Sequence, residues 1–334
     1  MVRPAILQIK DIYYPLLAAF GVPANIMTIA ILAKGNCGLS KCISVYMVAM
    51  AVADLLVMIF NVIVNFIFNY HFPYSFLSYT AACKFILYIN FVNLDMSVWF
   101  TVSFTFDRFV SICCQEFKDK YCTKRIATTI VLTASTLACL TGVPMFFSYE
   151  AIRVIDNVHW GCRTTEAVYI LPAWTVYSWM QSTSVVLLPF FLMALFNSLT
   201  VRRILFANRT RRGLRGKGSE SQNDPELKNR RKSIVLLFNV SGSFILLWLT
   251  AVGSFAATRM SNSVYYQGDY SNPGYIATEA GYLLLYLSSF TNTCIYAVTQ
   301  RKFRDELYNM LRSPWTLFLE LFQDKKQCEP NQIV

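Results

Sequence analysis

Seven predominantly apolar stretches, each of 23 to 35 residues, constrain this chain most; their approximate limits are 12–34, 43–69, 82–114, 124–147, 172–206, 231–258 and 275–300. About 20 such residues in a helix cross a hydrocarbon layer roughly 30 Å thick. Backbone amides find no water in lipid, so the stretches must be helical, and none shows the two-residue alternation of a membrane barrel strand. The expected fold is an all-α membrane protein, a seven-transmembrane helix bundle. Only 15% of the residues are charged, against about 25% in a soluble domain, which excludes an ordinary soluble enzyme. Gly and Pro are too few, and the apolar blocks too long, for a collagen-like, disordered or coiled-coil chain.

A formal net charge of +11 could suggest nucleic acid, but its distribution does not. If the connecting segments alternate sides, 24 of the 30 Lys and Arg fall on one side, most of them in 202–232 and 301–326. Cytoplasmic loops attract such residues, so the N-terminus is expected outside and the C-terminus inside. Anionic membrane lipids and a cytosolic partner are the expected neighbours of that basic face; no nucleic acid is. The first stretch lacks a following small-residue cleavage site, which reads as a signal anchor. No internal repeat is visible, against transporters built from duplicated halves. One domain is expected: 1–11 as a short extracellular segment, 12–300 as the bundle, 301–312 as an amphipathic helix and 313–334 as a cytoplasmic tail. Phe303, Leu307, Met310 and Leu311 form the apolar stripe of 301–312, as in a helix lying on a membrane. So short an outer N-terminus leaves small molecules and short peptides as ligands.

An ionisable residue inside a span is a functional hypothesis by default, because its burial is costly unless it is paired or hydrated. Asp54, Asp95 and Asp107 stand out as carboxylates in the spans, with Asp107 beside Arg108 in Thr-Phe-Asp-Arg-Phe-Val. Of the ten cysteines, only Cys83 and Cys162 fall on the outer, oxidising side, where a disulfide joining them is plausible and two free thiols are the alternative. No metal-ligand spacing links the cysteines with His71 and His159.

Asp107-Arg108 lies where rhodopsin-like (class A) G-protein-coupled receptors carry Asp-Arg-Tyr, and the resemblance runs over nearly the whole chain. Asn25 resembles the first-span Asn and Asp54 the second-span Asp; Cys83 precedes Asp107 by the family interval of 24 residues, and Cys162 matches its loop partner. Pro189 matches the fifth-span Pro, Phe244 and Trp248 the sixth-span toggle pair, and Asn292-Thr-Cys-Ile-Tyr296 resembles Asn-Pro-x-x-Tyr. Within the class, Gly-Val-Pro-Ala-Asn-Ile, Phe-Asn-Ser-Leu-Thr-Val-Arg-Arg and Gln-Arg-Lys-Phe-Arg are most similar to the orphan group called probable G-protein-coupled receptor 139-like. Departures are equally specific. Phe109 replaces Tyr, the fourth span has no Trp, Asn197 replaces a Tyr, and Thr250 and Thr293 replace prolines. Arg230 stands where many relatives carry an acid that clasps the third-span Arg.

The resemblance implies a Cys83–Cys162 disulfide and a receptor that promotes GDP release from a heterotrimeric G protein, with no covalent active site and hence no enzyme. Asp107 would restrain Arg108 at rest; Phe244, Trp248, Asn292 and Tyr296 would complete the switch. Asn25, Asp54, Ser97, Ser288 and Asn292 would form a polar core, either hydrated or holding a sodium ion, to which oxygen ligands are suited. No other cofactor or metal is implied. The ligand pocket would involve Asn90, Phe91, Leu94, Gln181, Trp248, Phe255, Tyr282 and Tyr286. Asn90 replaces the Asp of aminergic receptors, disfavouring a biogenic amine, and the seventh span has no Lys for a retinal Schiff base. Asp95 lies one helical step away, where it would meet a ligand cation or hydrogen-bond a neighbouring helix. Two competing functions remain at this level: a seven-span transporter or channel, and a receptor-like scaffold that does not signal.

Overall fold

The computed structural model describes residues 4–35, 37–214, 225–260, 270 and 272–312, except the side chains of 70, 169, 208, 210–214, 225–230, 255 and 258–260. The tail 313–334, the centre of the 207–230 loop, and the side chains of Arg230 and Phe255 therefore lie outside the described residues. The chain forms the seven-helix bundle. Helix α1 is Ala5–Lys34, α2 Lys41–Phe68, α3 Thr80–Cys113 and α4 Lys124–Phe147. Helix α5 starts as Pro172–Ser182 and ends as Leu188–Leu214, α6 is Pro225–Met260 and α7 is Pro273–Thr299. Residues 301–312 form α8. The first six helices contain stretches apolar enough to cross a membrane, and α7, 27 residues long, completes the ring.

Local chemistry sets the helix ends. Gly35 closes α1 at φ 75°, donating its amide to Leu32 O, a left-handed position that glycine adopts without steric cost. The Ser40 hydroxyl accepts from the Ile43 amide at the start of α2, and Thr123 accepts from Ile126 at the start of α4; such caps contribute about 1 kcal/mol each. The Asn272 side chain accepts from Gly274 N, and Pro273 opens α7, where its missing amide costs nothing. Thr183–Leu187 in α5 has wide π-type turns immediately before Pro189, which has no amide to return to the preceding turn. A longer π-type segment, Val57–Phe68, forms the second half of α2.

Helix α3 is the centre, packing on α2, α4, α5 and α6, while α6 lies along α7. Two apolar cores result. One, towards the end carrying Lys34, Lys41 and Lys124, is built on Tyr46, Met50, Phe104, Leu236, Tyr296 and Phe303; the other holds Tyr14, Val98, Phe244, Trp248 and Tyr286. Outward side chains such as Leu132, Leu246 and Val298 are apolar and exposed, as lipid-facing positions are. In α8 the Phe303 ring is buried 5.9 Å from Tyr296. Leu307 and Met310 pack inward with Phe303, whereas Leu311 is 58% exposed.

The opposite end is covered by a hairpin. Strands β1 (Tyr149–Glu150) and β4 (Arg163–Thr164) pair antiparallel, as do β2 (Arg153–Ile155) and β3 (Val158–Trp160). Asp156 and Asn157, at φ 49° and 61°, make the two-residue turn, a backbone that Asp and Asn tolerate. Cys83 and Cys162 are joined in a disulfide, the Thr80 hydroxyl donates to Gly161 O at 2.8 Å, and Tyr79 meets Trp160 at 4.6 Å. The hairpin is thereby pinned to the start of α3.

A Cβ on Gly281 would lie 2.7 Å from Ala251 Cα and 2.8 Å from its amide nitrogen, so α6 and α7 approach at a distance only a small residue permits. Gly281→Ala should cost about 1–3 kcal/mol through forced separation and lower the thermal-melting temperature of the detergent-solubilised chain. Gly253→Ala, with open space around it, should not lower it. Equal melting of the two variants would contradict the packing.

Candidate functional site

At the basic end, α3 places Asp107 and Arg108 inside the bundle, 0% and 3% exposed. The Arg108 Nη2 and Asp107 Oδ2 form an ion pair, reinforced by Nε at 3.1 Å. Arg108 Nη1 also donates to Ser233 Oγ of α6 at 3.2 Å. On the other side the Cys42 thiol donates to Asp107 Oδ1 at 2.9 Å, so α2 holds the same carboxylate. A cavity of about 1110 Å³ opens here, lined by Arg108, Ser111, Lys232, Leu236, Gln300 and Lys302 among others. Tyr121, in the short helix Gln115–Tyr121, has its phenol pushed up to about 12 by burial, with the Asp107 charge adding to the shift. Tyr296 is fully buried, and its hydroxyl has no partner among the described residues.

Halfway along the bundle, Asp54 is 1% exposed. Its Oδ1 accepts from Ser97 Oγ at 2.9 Å and its Oδ2 from Asn292 Nδ2 at 2.8 Å, joining α2, α3 and α7. Ser289, a residue not singled out from the sequence, lies beside the same carboxylate. Ser288 turns elsewhere: it accepts from Trp248 Nε1 at 3.0 Å and donates to Leu285 O. Asn25 likewise spends its amide nitrogen on Gly21 O and Ser289 O, bridging α1 and α7, and its Oδ1 has no hydrogen-bond partner among the described residues. Trp248 stacks on Phe244 with centroids 4.7 Å apart.

Three of the departures from the family pattern have a place in the helices and the contacts between them. Thr293 shares a hydrogen bond of 2.9 Å with Thr28, tying α7 to α1. Asn197 Nδ2 donates to Ser241 Oγ at 2.8 Å, tying α5 to α6. With Thr250 in place of proline, α6 runs unbroken for 36 residues, since the usual cause of a sharp kink is absent.

The expected pocket residues divide into two groups. Leu94, Trp248 and Tyr286 belong to one apolar core, with Tyr282 stacked on Tyr286 at 6.3 Å and exposed at its other side. Phe91 and Gln181 face α4: the Gln181 amide donates to Thr141 O at 2.8 Å, and Phe91 lies against Gly142. Asp95, 4% exposed, also faces α4, beside Thr141. Asn90 is 6% exposed, and neither amide atom has a partner among the described residues.

Sequence reasoning passed over a fourth carboxylate within the spans. Glu279 of α7, 8% exposed, accepts from Lys10 Nζ of α1 at 2.6 Å, with Phe66 5.2 Å from the ammonium and Tyr14 stacked on Phe66. The lone Glu in an apolar stretch and the Lys just ahead of the first stretch were the available signals. Glu279→Gln leaves Lys10 without its countercharge and should cost about 2 kcal/mol, less than a fully buried pair because both groups retain some exposure. Lys10→Met combined with Glu279→Leu should melt closer to the wild type than either single variant; strictly additive losses would show that the pair is not coupled.

Comparison with known proteins fits this arrangement. Residues 24–296 match the family described as 7 transmembrane receptor (rhodopsin family). Growth hormone secretagogue receptor type 1 of Oryctolagus cuniculus is 23% identical over 299 residues, 87% of this chain and 77% of that receptor. G-protein coupled estrogen receptor 1 of Mus musculus is 24% identical over 272 residues, 77% of this chain and 60% of the relative. G-protein coupled receptor 182 of Mus musculus is 24% identical over 194 residues, covering 58% and 48%. The family match takes in most of the chain, from the last third of α1 into the end of α7, and the chain belongs to the rhodopsin family of seven-transmembrane G-protein-coupled receptors.

Proposed function

We propose that this receptor senses an extracellular small molecule or short peptide and promotes GDP release from a heterotrimeric G protein, with the basic end in the cytosol and the hairpin end outside. The orientation rests on the 24 Lys and Arg gathered at one side. The observation that carries the reading is Arg108, buried between Asp107 and Ser233 on the wall of the 1110 Å³ cavity. In the resting state the guanidinium is occupied within the bundle. A ligand that binds the open bundle more tightly shifts the population towards it, freeing Arg108 to meet the G protein. Trp248, Phe244 and Tyr286 share one core, so a ligand at the hairpin end acts on the same packing that positions α6 and α7. Within the family, the wording around Asn25, Asn197 and Arg301 favours the probable G-protein-coupled receptor 139-like group.

The α3–α6 tie is a hydrogen bond to a neutral hydroxyl, weaker than a bond between two charged groups. Basal exchange should therefore be appreciable. Ser233→Asp adds a charged partner and should lower it about tenfold, from roughly 1.5 kcal/mol of added restraint; Ser233→Ala should raise it. These are read as GTP-analogue uptake by purified G proteins on receptor membranes. Identical uptake by the wild type, both Ser233 variants and receptor-free membranes would sink the proposal.

Asp54, buried without a cationic partner among the described residues, presents carboxylate oxygens beside Ser97 Oγ and the Asn292 side chain. That donor set fits a sodium ion, which would neutralise the carboxylate and stabilise the resting bundle. Sodium chloride should raise the melting temperature of the wild type above that in choline chloride, and Asp54→Ala should abolish the difference. A sodium effect of equal size in the variant would place the ion elsewhere.

A further inference from the structure

Two cysteines, one from α2 and one from the loop ahead of α4, meet at Asp107. Cys42, in the first turn of α2, is 2% exposed, and its thiol donates to Asp107 Oδ1 at 2.9 Å. Cys122 lies between the short helix Gln115–Tyr121 and α4, its Sγ 3.9 Å from Asp107 O. The two thiols are also within hydrogen-bonding reach of each other. Their backbones are held on both sides: the Cys122 amide donates to Lys118 O at 2.8 Å, Thr123 caps α4 and Ser40 caps α2. Burial of the pair is one-sided. Cys42 sits in the apolar core, whereas Cys122 is half-buried and forms part of the wall of the 1110 Å³ cavity beside Arg108. Lys118, Lys232, Arg301 and Lys302 line that cavity against Asp119 and Asp305, an excess of positive charge that attracts anions. The Cys122 thiol is pulled below its ordinary value by the hydrogen bond with Cys42, against the opposing effect of burial, and the Arg108 charge adds a smaller pull. A thiolate is the form that attacks a disulfide.

We infer that Cys42 and Cys122 are a reversible redox pair, closed to a disulfide by a small anionic disulfide of the oxidised-glutathione type that enters the cavity from the cytosol. The cytosolic setting rests on the proposed orientation. Cys122, the sulfur open to the cavity, attacks first as thiolate, forming a mixed disulfide and releasing one glutathione thiolate. Cys42 then gives up its proton by way of Asp107 Oδ1, and its sulfur attacks that of Cys122. The bond to glutathione breaks and the second glutathione leaves as thiolate. Two receptor thiols are thereby oxidised, one oxidised glutathione is reduced to two thiols, and the two protons lost by the cysteines end on the two glutathiones. Closure also withdraws the proton that Cys42 gives to Asp107. Oδ1 is then open to the guanidinium of Arg108, which grips a carboxylate most firmly through both oxygens, so the closed pair holds Arg108 at rest.

The full-length receptor in phosphatidylcholine nanodiscs, both faces of which are open to solvent, is incubated with graded ratios of oxidised to reduced glutathione and mapped by peptide mass spectrometry without reduction. This arm depends on neither orientation nor signalling. The Cys42–Cys122 linked peptide should accumulate with oxidised glutathione and vanish in excess reduced glutathione, while Cys83–Cys162 persists. Cys42→Ser, whose hydroxyl still reaches Asp107, should instead accumulate glutathione on Cys122, and Cys122→Ser should leave Cys42 unmodified. Both thiols unmodified in excess oxidised glutathione, Cys122 linked to Cys37 or Cys114 in place of Cys42, or Cys42 modified equally in Cys122→Ser would each overturn the pair. GTP-analogue uptake on the same samples reads the effect on Arg108: oxidation should lower it about fivefold in the wild type, the weight of roughly one hydrogen bond, and in neither Ser variant. Uptake driven by the reduced receptor and unchanged by full closure would overturn the hold on Arg108. A receptor driving no uptake in either state would count against the signalling reading, with the linked peptide still deciding the pair.

Discussion

A charge buried among apolar helices must be met by a neighbour, because the cost of leaving it unmet amounts to several kcal/mol. Three buried carboxylates of this receptor turn that requirement into architecture. Asp107 is held by Arg108 of its own helix and Cys42 of α2, Asp54 by Ser97 and Asn292, and Glu279 by Lys10. Together they join α1, α2, α3 and α7 at three depths. Apolar packing between helices in lipid has no water to escape from, so these directional contacts specify which faces meet. The helices outside this set are tied by smaller groups, α5 to α6 through Asn197 and Ser241 and α6 to α7 through Trp248 and Ser288.

Signalling in the proposed sense exploits a weak member of this set. The Arg108–Ser233 contact crosses from α3 to α6 through a neutral hydroxyl, while the Asp107 contacts hold α2 and α3 together regardless of what α6 does. The ends of the bundle are therefore unequal. The hairpin end is fastened by a disulfide and by the Lys10–Glu279 pair. The basic end encloses a cavity, and among the described residues its side-chain hydrogen bond from α3 to α6 is the one from Arg108 to Ser233. Thr293 and Asn197 replace residues common in the class with hydrogen bonds to Thr28 and Ser241, so restraint is supplied at different points along the helices.

Much of the fold was legible because a membrane leaves so few solutions: seven long apolar stretches admit little besides a helical bundle. The Asp54, Ser97 and Asn292 contact was legible from motif position, and the structure brings those three together. Ser288 and Asn25, expected in the same cluster, point to Trp248 and to backbone carbonyls, because one helical step changes the face on which a side chain lies. Glu279 and Lys10 were missed because their pairing depends on the contact between α1 and α7, which no local pattern encodes. The hairpin was passed over although Asp156-Asn157 is a turn signal, its strands being only two or three residues long. The part of Cys42 at Asp107 was equally hidden, since 65 residues separate them.

The central claim is that the contacts of Asp107, Arg108 and Ser233 hold α6 against α3 in the resting receptor. Its most direct measurement is the distance distribution between spin labels carried by noncanonical residues at positions 116 and 235, compared among the wild type, Asp107→Asn and Ser233→Ala without added ligand. The account predicts a dominant short-distance population in the wild type and growth of a longer one in both variants. Superimposable distributions in all three proteins would contradict it.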